Sequence, residues 1–444
     1  MISKSTFVKG MQCLNSLLHT EIPSPGDRVR MQQGTKAGKL AHAVFPAGRM
    51  ASKQWMQPTL TPTTWFEVPV TYNDLTIRID VLRPAGTAWD LIEVKSSSRV
   101  KSKHIDDVAF QKYVCEKAGV RINKVYLMHI DTSYVRGHDV QVDKLFKLVD
   151  VTDPVEAYTD IEEKIQSVRE TLQNNVEPIA YPGCHSRDCP GKNCKRKPTS
   201  VYNIMGGRGG AYHKKGVLDY YDIVDPSEKI QRQKVGDTNG VYVHREELAR
   251  FMQQIIDPIF LDFETFMSTL PPFLDTHAHQ QLPFQYSMHT LHDHKEFLHM
   301  QHSDPRQPFI ESLVHDLPRE GSIIVWNKSF EAGVLRKLGE RYPEHRAWVD
   351  NVVSRMVDLE VPFKQMTVYY KGQNGRSSIK KVLPAMMGKD YGGLEINQGA
   401  DASAMYYNFV CEGKGSNPKE ALLAYCKQDT HAMVDIYRYL MKLC

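Results

Sequence analysis

Two carboxylates, Asp262 and Glu264, stand inside the apolar run Ile259-Phe260-Leu261-Asp262-Phe263-Glu264-Thr265. A run rich in Ile, Phe and Leu, entered from Pro258, reads as a buried strand. Side chains two apart on a strand share a face, and a like-charged pair leaving an apolar segment is costly unless a cation or donor neutralises it. A divalent metal is the simplest neutraliser. Hard oxygen ligands favour Mg²⁺ or Mn²⁺, and two such ions about 4 Å apart hold the attacking and leaving oxygens of a phosphodiester. Later residues supply partners. The buried run Ser322 to Trp326 leads into Asn327-Lys328-Ser329-Phe330-Glu331, in strand, polar turn and helix order. Glu331 falls near the helix start, where the macrodipole suits a carboxylate. Asp358 is a second candidate for the same role, with a turn position as its other reading. A last helix is expected from Asn417 as N-cap, Pro418 at the first position and Glu420 three after the cap. On it Tyr425 and Asp429, four apart, share a face, so a carboxylate can complete a metal site and a phenol can hold the attacking water in line.

The first half offers a second constellation. Leu75 to Leu82 alternates as a strand, Arg83-Pro84-Ala85-Gly86-Thr87 is turn chemistry, and Trp89 to Lys95 is the return strand. Glu93 and Lys95 share a face, with Asp80 on the paired strand within reach. An Asp and a Glu can hold a metal that polarises a phosphate, while a Lys orients water and supports developing charge. Upstream, Phe7, Met11, Leu14 and Leu18 repeat as on a helix, and residues 34–50 form a small amphipathic segment containing His42.

At 444 residues the chain is long enough for two or three domains. With 41% hydrophobic and 24% charged residues its composition is that of a globular protein. No apolar run approaches a membrane span, and the first residues lack a signal-peptide core, so a cytoplasmic chain without membrane attachment is expected. A net charge of +4 and a pI near 8.4 permit an acidic partner such as nucleic acid. Lys192, Lys195, Arg196, Lys197, Arg208, Lys214 and Lys215 form a basic middle that suits either phosphates or a solvated linker. Gly206 to Gly210 lacks the spacing and setting of a phosphate-binding loop, which excludes a nucleotide site there. Of eight cysteines, Cys184, Cys189 and Cys194 cluster, which in a cytosolic chain suggests metal rather than disulfide. His185 beside them is expected at the surface.

Asp80, Glu93-Val94-Lys95 and the following Gln111-Lys112-Tyr113 resemble the core of the RecB-like branch of PD-(D/E)xK nucleases. The resemblance implies metal at Asp80 and Glu93, catalytic roles for Lys95 and Gln111, and substrate contact at Tyr113. It also implies an iron-sulfur cluster, [4Fe-4S], held by Cys13, Cys184, Cys189 and Cys194, which would tie the ends of the domain together. The spacing of the triple serves zinc equally. The branch's usual upstream His has a counterpart only in His42, in uncertain register.

Asp262-x-Glu264, Asn327-x-x-Phe330-Glu331 and Tyr425-x-x-x-Asp429, in this order, closely resemble the motifs of the DEDDy branch of the DnaQ-like, RNase H-fold exonucleases. Most of that superfamily has Asp where this chain has Glu331. Here the resemblance implies Asp262, Glu264, Glu331 and Asp429 as metal ligands, Tyr425 as the water-positioning residue, and substrate contacts at Asn327, Lys380 and Lys381. Residues Ser378 to Lys381 would set a basic helix start beside the scissile phosphate. Phe284 to His289, Ser377 to Pro384 and Tyr425 to Thr430 are similar to a bacterial family that joins the two nuclease types.

The expected protein is therefore α/β, with a RecB-like domain over 1–200 stapled by the Cys cluster, a connector over 201–255, and a mixed-sheet, RNase H-like 3'-5' exonuclease domain over 256–444. The expected activity is metal-dependent hydrolysis of nucleic acid from an end, DNA in preference to RNA, releasing nucleoside 5'-monophosphates. The alternative is a nucleic-acid-binding module of repair or phage defence, with one or both sites silent and an iron-sulfur scaffold as its first half.

Overall fold

Capping chemistry and apolar alternation organise a mixed α/β chain in the computed structural model, which describes residues 1–19, 22–52, 63–174, 197–207 and 209–444. The chain divides into two units, Met1–Lys195 with Ser268–Gln280, and Arg196–Met267 with Gln281–Cys444. The expected connector falls in the second unit, to which it contributes a strand and three helices. Residues 268–280 count with the first unit for an equally local reason. The Thr269 N–H donates to Gln33 Oε1 at 3.0 Å, and Arg136 Nη1 donates to the carbonyls of Pro271 and Pro272, each at 2.8 Å.

The first unit begins with β1 (Ile2–Ser3) and α1 (Lys4–Gln12), which Ser3 caps by accepting from the Thr6 N–H. Helix α2 (Pro25–Ala41) starts well before the amphipathic segment read from the sequence. Its signal is a Ser24/Asp27 capping box with proline at the first position. Then follow β2 (Arg49–Met50), β3 (Trp65–Tyr72), β4 (Leu75–Ala85), β5 (Ala88–Lys95), α3 (Ser102–Lys117), β6 (Ile122–Ile130), α4 (Val142–Leu145), β7 (Phe146–Asp150), α5 (Thr152–Glu156) and α6 (Ile161–Asn174). The sheet runs β2-β3-β4-β5-β6-β7, with β1 beside β4.

Strand β4 pairs with β3 over Leu75 to Leu82 but with β5 only from Val81 onward. Below Val81 its β5 side is vacant, and β1 takes that edge, setting Ile2 opposite Leu75 and Ser3 opposite Thr76. One face of the sheet is covered by α1, α3 and α6, where Phe7 stacks on Phe110 at 4.6 Å with both rings fully buried. Truncating either ring to alanine would cost about 3–5 kcal/mol.

The second unit contains α7 (Gly209–His213), α8 (Glu228–Asn239), β8 (Val241–Val243), α9 (Arg245–Met252), β9 (Ile259–Phe266), β10 (Leu282–His289), β11 (His294–Leu298), α10 (Arg306–Asp316), β12 (Ile323–Val325), α11 (Lys328–Arg341), α12 (Arg346–Ser354), β13 (Met356–Asp358), α13 (Val361–Lys364), β14 (Val368–Tyr370), α14 (Ile379–Met387), α15 (Gly399–Glu412) and α16 (Lys419–Leu443). Its main sheet is ordered β11-β10-β9-β12-β13. β10 runs antiparallel to both of its neighbours, β9 and β11, whereas β9, β12 and β13 run parallel. β8 and β14 form a separate antiparallel pair. Helix α16 begins one residue later than expected, with Pro418 at the cap, although Asn417 Oδ1 still accepts from the Lys419 N–H at 3.1 Å.

Alternation along β9 sorts its side chains. Leu261 and Phe263 enter the core with Phe309, Leu313 and Leu335 of α10 and α11. Phe260, Asp262, Glu264 and Phe266 share the opposite face. There Phe260 meets Tyr437 of α16 at 5.5 Å and Phe266 meets Tyr406 of α15 at 5.1 Å. Two aromatic contacts therefore bracket the two carboxylates and dry their surroundings.

The same unit has a backbone position that admits only glycine. Gly375 lies at φ 65°, and a Cβ there would stand 1.6 Å from the Asn203 carbonyl oxygen. Gly375→Ala is expected to cost at least about 2 kcal/mol, read as a lowered melting temperature, because conformation and space both forbid the methyl.

Candidate functional site

Strand β9 and helix α16 bring the second-half carboxylates together. Asp262, Glu264 and Asp429 each offer an oxygen, and these oxygens lie within 4.8 Å of one another. The β10 residues opposite them, Ser287 and Gln285, bind α16: Ser287 Oγ lies 2.7 Å from Thr430 Oγ1, and Gln285 Nε2 donates to the Leu422 carbonyl at 2.8 Å. These fully buried polar contacts fix the register of helix against strand and thereby place Asp429 over the strand pair. Above them, Tyr391 donates to Asp429 Oδ1 at 2.6 Å, and Lys380 Nζ donates to the Tyr425 hydroxyl at 2.7 Å and to the Asn397 carbonyl at 2.6 Å. The Lys380 ammonium lies over both phenol rings, 4.6 Å from the centroid of Tyr425 and 5.0 Å from that of Tyr391.

The site is rich in charge and poor in donors. Among the described residues no hydrogen bond reaches Glu264, and Asp262 receives only the Cys426 thiol at 3.8 Å. Burial, then the Asp429 charge, push the carboxyls of Asp262 and Glu264 well above their ordinary range; burial raises Asp429 as well. Glu331, in the first turn of α11, is 3% exposed, and among the described residues its Oε2 has no hydrogen-bond partner. It contributes to the upward shifts of Asp262 and Glu264. The chemistry of this donor set fits hard divalent cations: several anionic oxygens with open lone pairs, one ammonium, and no protein donor saturating them. Asp358 accepts from the Glu360 N–H at 3.0 Å, so the turn role is filled, while its charge adds to the rise at Glu331. Asn327 is exposed at the cap of α11, and Lys381 is exposed on α14, whereas Lys380 joins the carboxylates.

The Glu331 shift has a measurable consequence. Burial pushes its carboxyl from 4.5 to about 8. Between those values the folded chain keeps a proton that the unfolded chain has released, so metal-free stability falls as pH rises across the window. Glu331→Gln mimics the protonated form. In EDTA its stability is expected to match the wild type near pH 5 and to exceed it by pH 8 by on the order of a few kcal/mol, read as a raised melting temperature. Comparing the two chains cancels buried histidines such as His289, whose lowered value acts in the opposite sense. A gap that stays constant with pH would contradict the assignment.

In the first unit Asp80, Glu93, Lys95 and Gln111 also meet, joined by two residues that sequence reasoning missed, Lys4 and Asp107. Lys95 Nζ donates to Glu93 Oε1 at 2.8 Å and to Asp107 Oδ2 at 2.5 Å. Gln111 Nε2 donates to Glu93 Oε2 at 2.8 Å and to Asp107 Oδ1 at 2.9 Å. Asp80 Oδ2 accepts from the Val94 N–H at 2.7 Å, bridging the fork where β4 and β5 part. Burial, then Glu93, raise Asp80 to about 7; Glu93 is held low despite its burial, by Lys4 and then Lys95.

Two of the residues named from the sequence lie apart from this cluster. Tyr113 lies two positions beyond Gln111, about 200° around the helix, and its hydroxyl donates to Glu162 Oε1 at 3.0 Å, away from the cluster. His42 is stacked on Phe66 at 4.1 Å in a different core, with Nε2 3.9 Å from Glu67 Oε1. Cys13 is buried at the end of α1, but Cys184, His185, Cys189 and Cys194 lie outside the described residues, as do Lys192, Lys195, Arg196 and Arg208.

Of the missed residues, Asp107 had a signal, since it precedes Gln111 by one helical turn. Tyr391 and Lys4 had none, being brought in by loops and sheet pairing from positions with no periodic relation to the site. A family model described as Domain of unknown function (DUF2779) matches residues 259–378. That span takes in β9 to β14, hence Asp262, Glu264 and Glu331, and stops before Lys380, Tyr391, Tyr425 and Asp429. No curated protein matches the chain. Among the described residues no helix is long and apolar enough to cross a membrane.

Proposed function

We propose that the chain is a metal-dependent nuclease that hydrolyses phosphodiesters of nucleic acid, DNA in preference to RNA, at the Asp262, Glu264, Glu331 and Asp429 site. The observation that carries the reading is the convergence of three carboxylates within 4.8 Å, with open lone pairs, and a buried Glu331 oxygen that has no hydrogen-bond partner among the described residues. Support also comes from the sheet order β11-β10-β9-β12-β13, three antiparallel strands continued by two parallel ones, which is the arrangement an RNase H-like exonuclease domain requires.

Divalent cations on these oxygens, Mg²⁺ or Mn²⁺, would supply positive charge to the reacting phosphate. The residues of the chain do the rest. Lys380 donates to the Tyr425 oxygen, and the same hydroxyl hydrogen-bonds Asp429, so the phenol is held between an ammonium and a carboxylate where its oxygen would position an attacking water. The Lys380 ammonium also adds positive charge where charge on the phosphoryl oxygens grows. Tyr391 fixes Asp429 from the other side. In the first unit the RecB-like reading, a second cutting site at Asp80, Glu93 and Lys95, competes with that of a scaffold that grips nucleic acid. The crowding of Glu93 by protein donors favours the scaffold. Its four-cysteine group, iron-sulfur or zinc, is separable by colour, since zinc is colourless.

The test is cleavage of end-labelled single-stranded and duplex DNA, with matched RNA, in Mg²⁺ or Mn²⁺. Stepwise shortening is expected from the wild type and from Lys95→Ala. No degradation under any condition would sink the enzyme reading in favour of the binding module.

A further inference from the structure

The Glu93 carboxylate is saturated. Lys4 Nζ donates to its Oε1 at 2.8 Å and to its Oε2 at 2.9 Å. Lys95 adds a second bond to Oε1 and Gln111 a second bond to Oε2. An ionised carboxylate has about four lone-pair sites, and protein donors occupy them all. The same Lys4 ammonium lies 3.8 Å from Asp80 Oδ1, so it bridges the two carboxylates that a divalent ion would bridge.

The position of Lys4 is dictated by the fold. β1 fills the edge of β4 that β5 vacates below Val81, and α1 starts directly after it, which delivers the fourth residue into the fork beside Asp80 and Glu93. With Glu93 only 2% exposed, a cation there has to be supplied by the protein or by a dehydrated ion. A tethered ammonium meets that need at high effective concentration and without the cost of stripping water from Mg²⁺. Asp80, Glu93 and Asp107 against Lys4 and Lys95 leave a single negative charge, and a divalent ion added beside Lys4 would make the pocket net positive. Metal and Lys4 therefore exclude one another. The contrast is with the Glu264 carboxylate in the second unit, which among the described residues accepts no hydrogen bond.

We infer that the Lys4 ammonium is the resident cation of the Asp80–Glu93 pocket, and that this pocket takes up no Mg²⁺ or Mn²⁺ while Lys4 is present. The first unit then keeps the carboxylate and lysine arrangement of a hydrolytic site in a locked, metal-free form. The inference is independent of the reading of the Asp262 site.

The experiment measures free Mn²⁺ by electron paramagnetic resonance during titration of the full chain, in an Asp262→Ala, Glu264→Ala background that silences the second unit. Adding Glu93→Gln is expected to leave the binding curve unchanged. Adding Lys4→Met instead should create uptake of one Mn²⁺ equivalent, which Glu93→Gln then removes, while Lys4→Arg should create none. Mn²⁺ bound in the Lys4-containing chain and lost on Glu93→Gln would overturn the inference, and this arm needs no Lys4 variant to fold. A Lys4→Met chain with the parent's near-ultraviolet dichroism but no gained equivalent would overturn it too. Failure of the Asp262 reading shows separately, as equal Mn²⁺ uptake by the wild type and the silenced background.

Discussion

Asp262→Ala combined with Glu264→Ala is expected to abolish divalent-dependent cleavage while making the metal-free chain more stable. Both effects have one cause. The two side chains leave β9 between Phe260 and Phe266, on a face covered by α15 and α16, and burial with the charge of Asp429 pushes both carboxyls far up. The folded chain thus strains against its own charge unless cations are bound. A cation site is worth several kcal/mol to a transition state gaining charge, and each 1.36 kcal/mol is a factor of ten, so the loss in rate should reach about a thousandfold or more. Removing buried like charges relieves the folded state in EDTA, seen as a raised melting temperature at pH 8. Lost activity with lowered metal-free stability would mean that the carboxylates hold the fold together rather than a cation.

Tyr425→Phe is expected to lower kcat by about a hundredfold, the loss that misplacing a reacting group costs, with Mn²⁺ affinity unchanged. The hydroxyl is fixed from one side by Lys380 at 2.7 Å and sits among Asp429, Glu264 and Asp262, whose charges raise its pKa further after burial. A phenol so placed stays protonated at every working pH, so the role proposed for it is to orient water through hydrogen bonds and not to act as a base. The rate should therefore show no ionisation belonging to Tyr425. A kcat equal to the wild type would move the water-holding role to Tyr391, whose hydroxyl is already engaged by Asp429.

What could be read from the chain alone follows from periodicity. β9 keeps Asp262 and Glu264 on one face, as its apolar run predicts, because a strand alternates strictly. The Tyr425 and Asp429 pair shares a face for the corresponding reason in a helix. Beyond such local rules the sequence is silent. Lys4 reaches Glu93 only because β1 pairs with β4, a contact that no spacing announces. Tyr391 follows α14 in a loop and meets Asp429 through tertiary packing alone. The region 201–255 reads as a connector because its glycines and short apolar runs hide α8 and the pairing of β8 with β14, in which the partner strand lies more than a hundred residues away. Tyr113 follows Gln111 in the motif but faces another side of the helix, which the motif's wording does not reveal.

The most direct test of the central claim is release of nucleoside 5'-monophosphates from single-stranded DNA by the purified full chain, in Mn²⁺ and in EDTA, beside the Asp262→Ala, Glu264→Ala chain. The account predicts monophosphate release by the wild type in Mn²⁺ only, and none from the double variant. Release that persists in the double variant, or that survives EDTA, would contradict it.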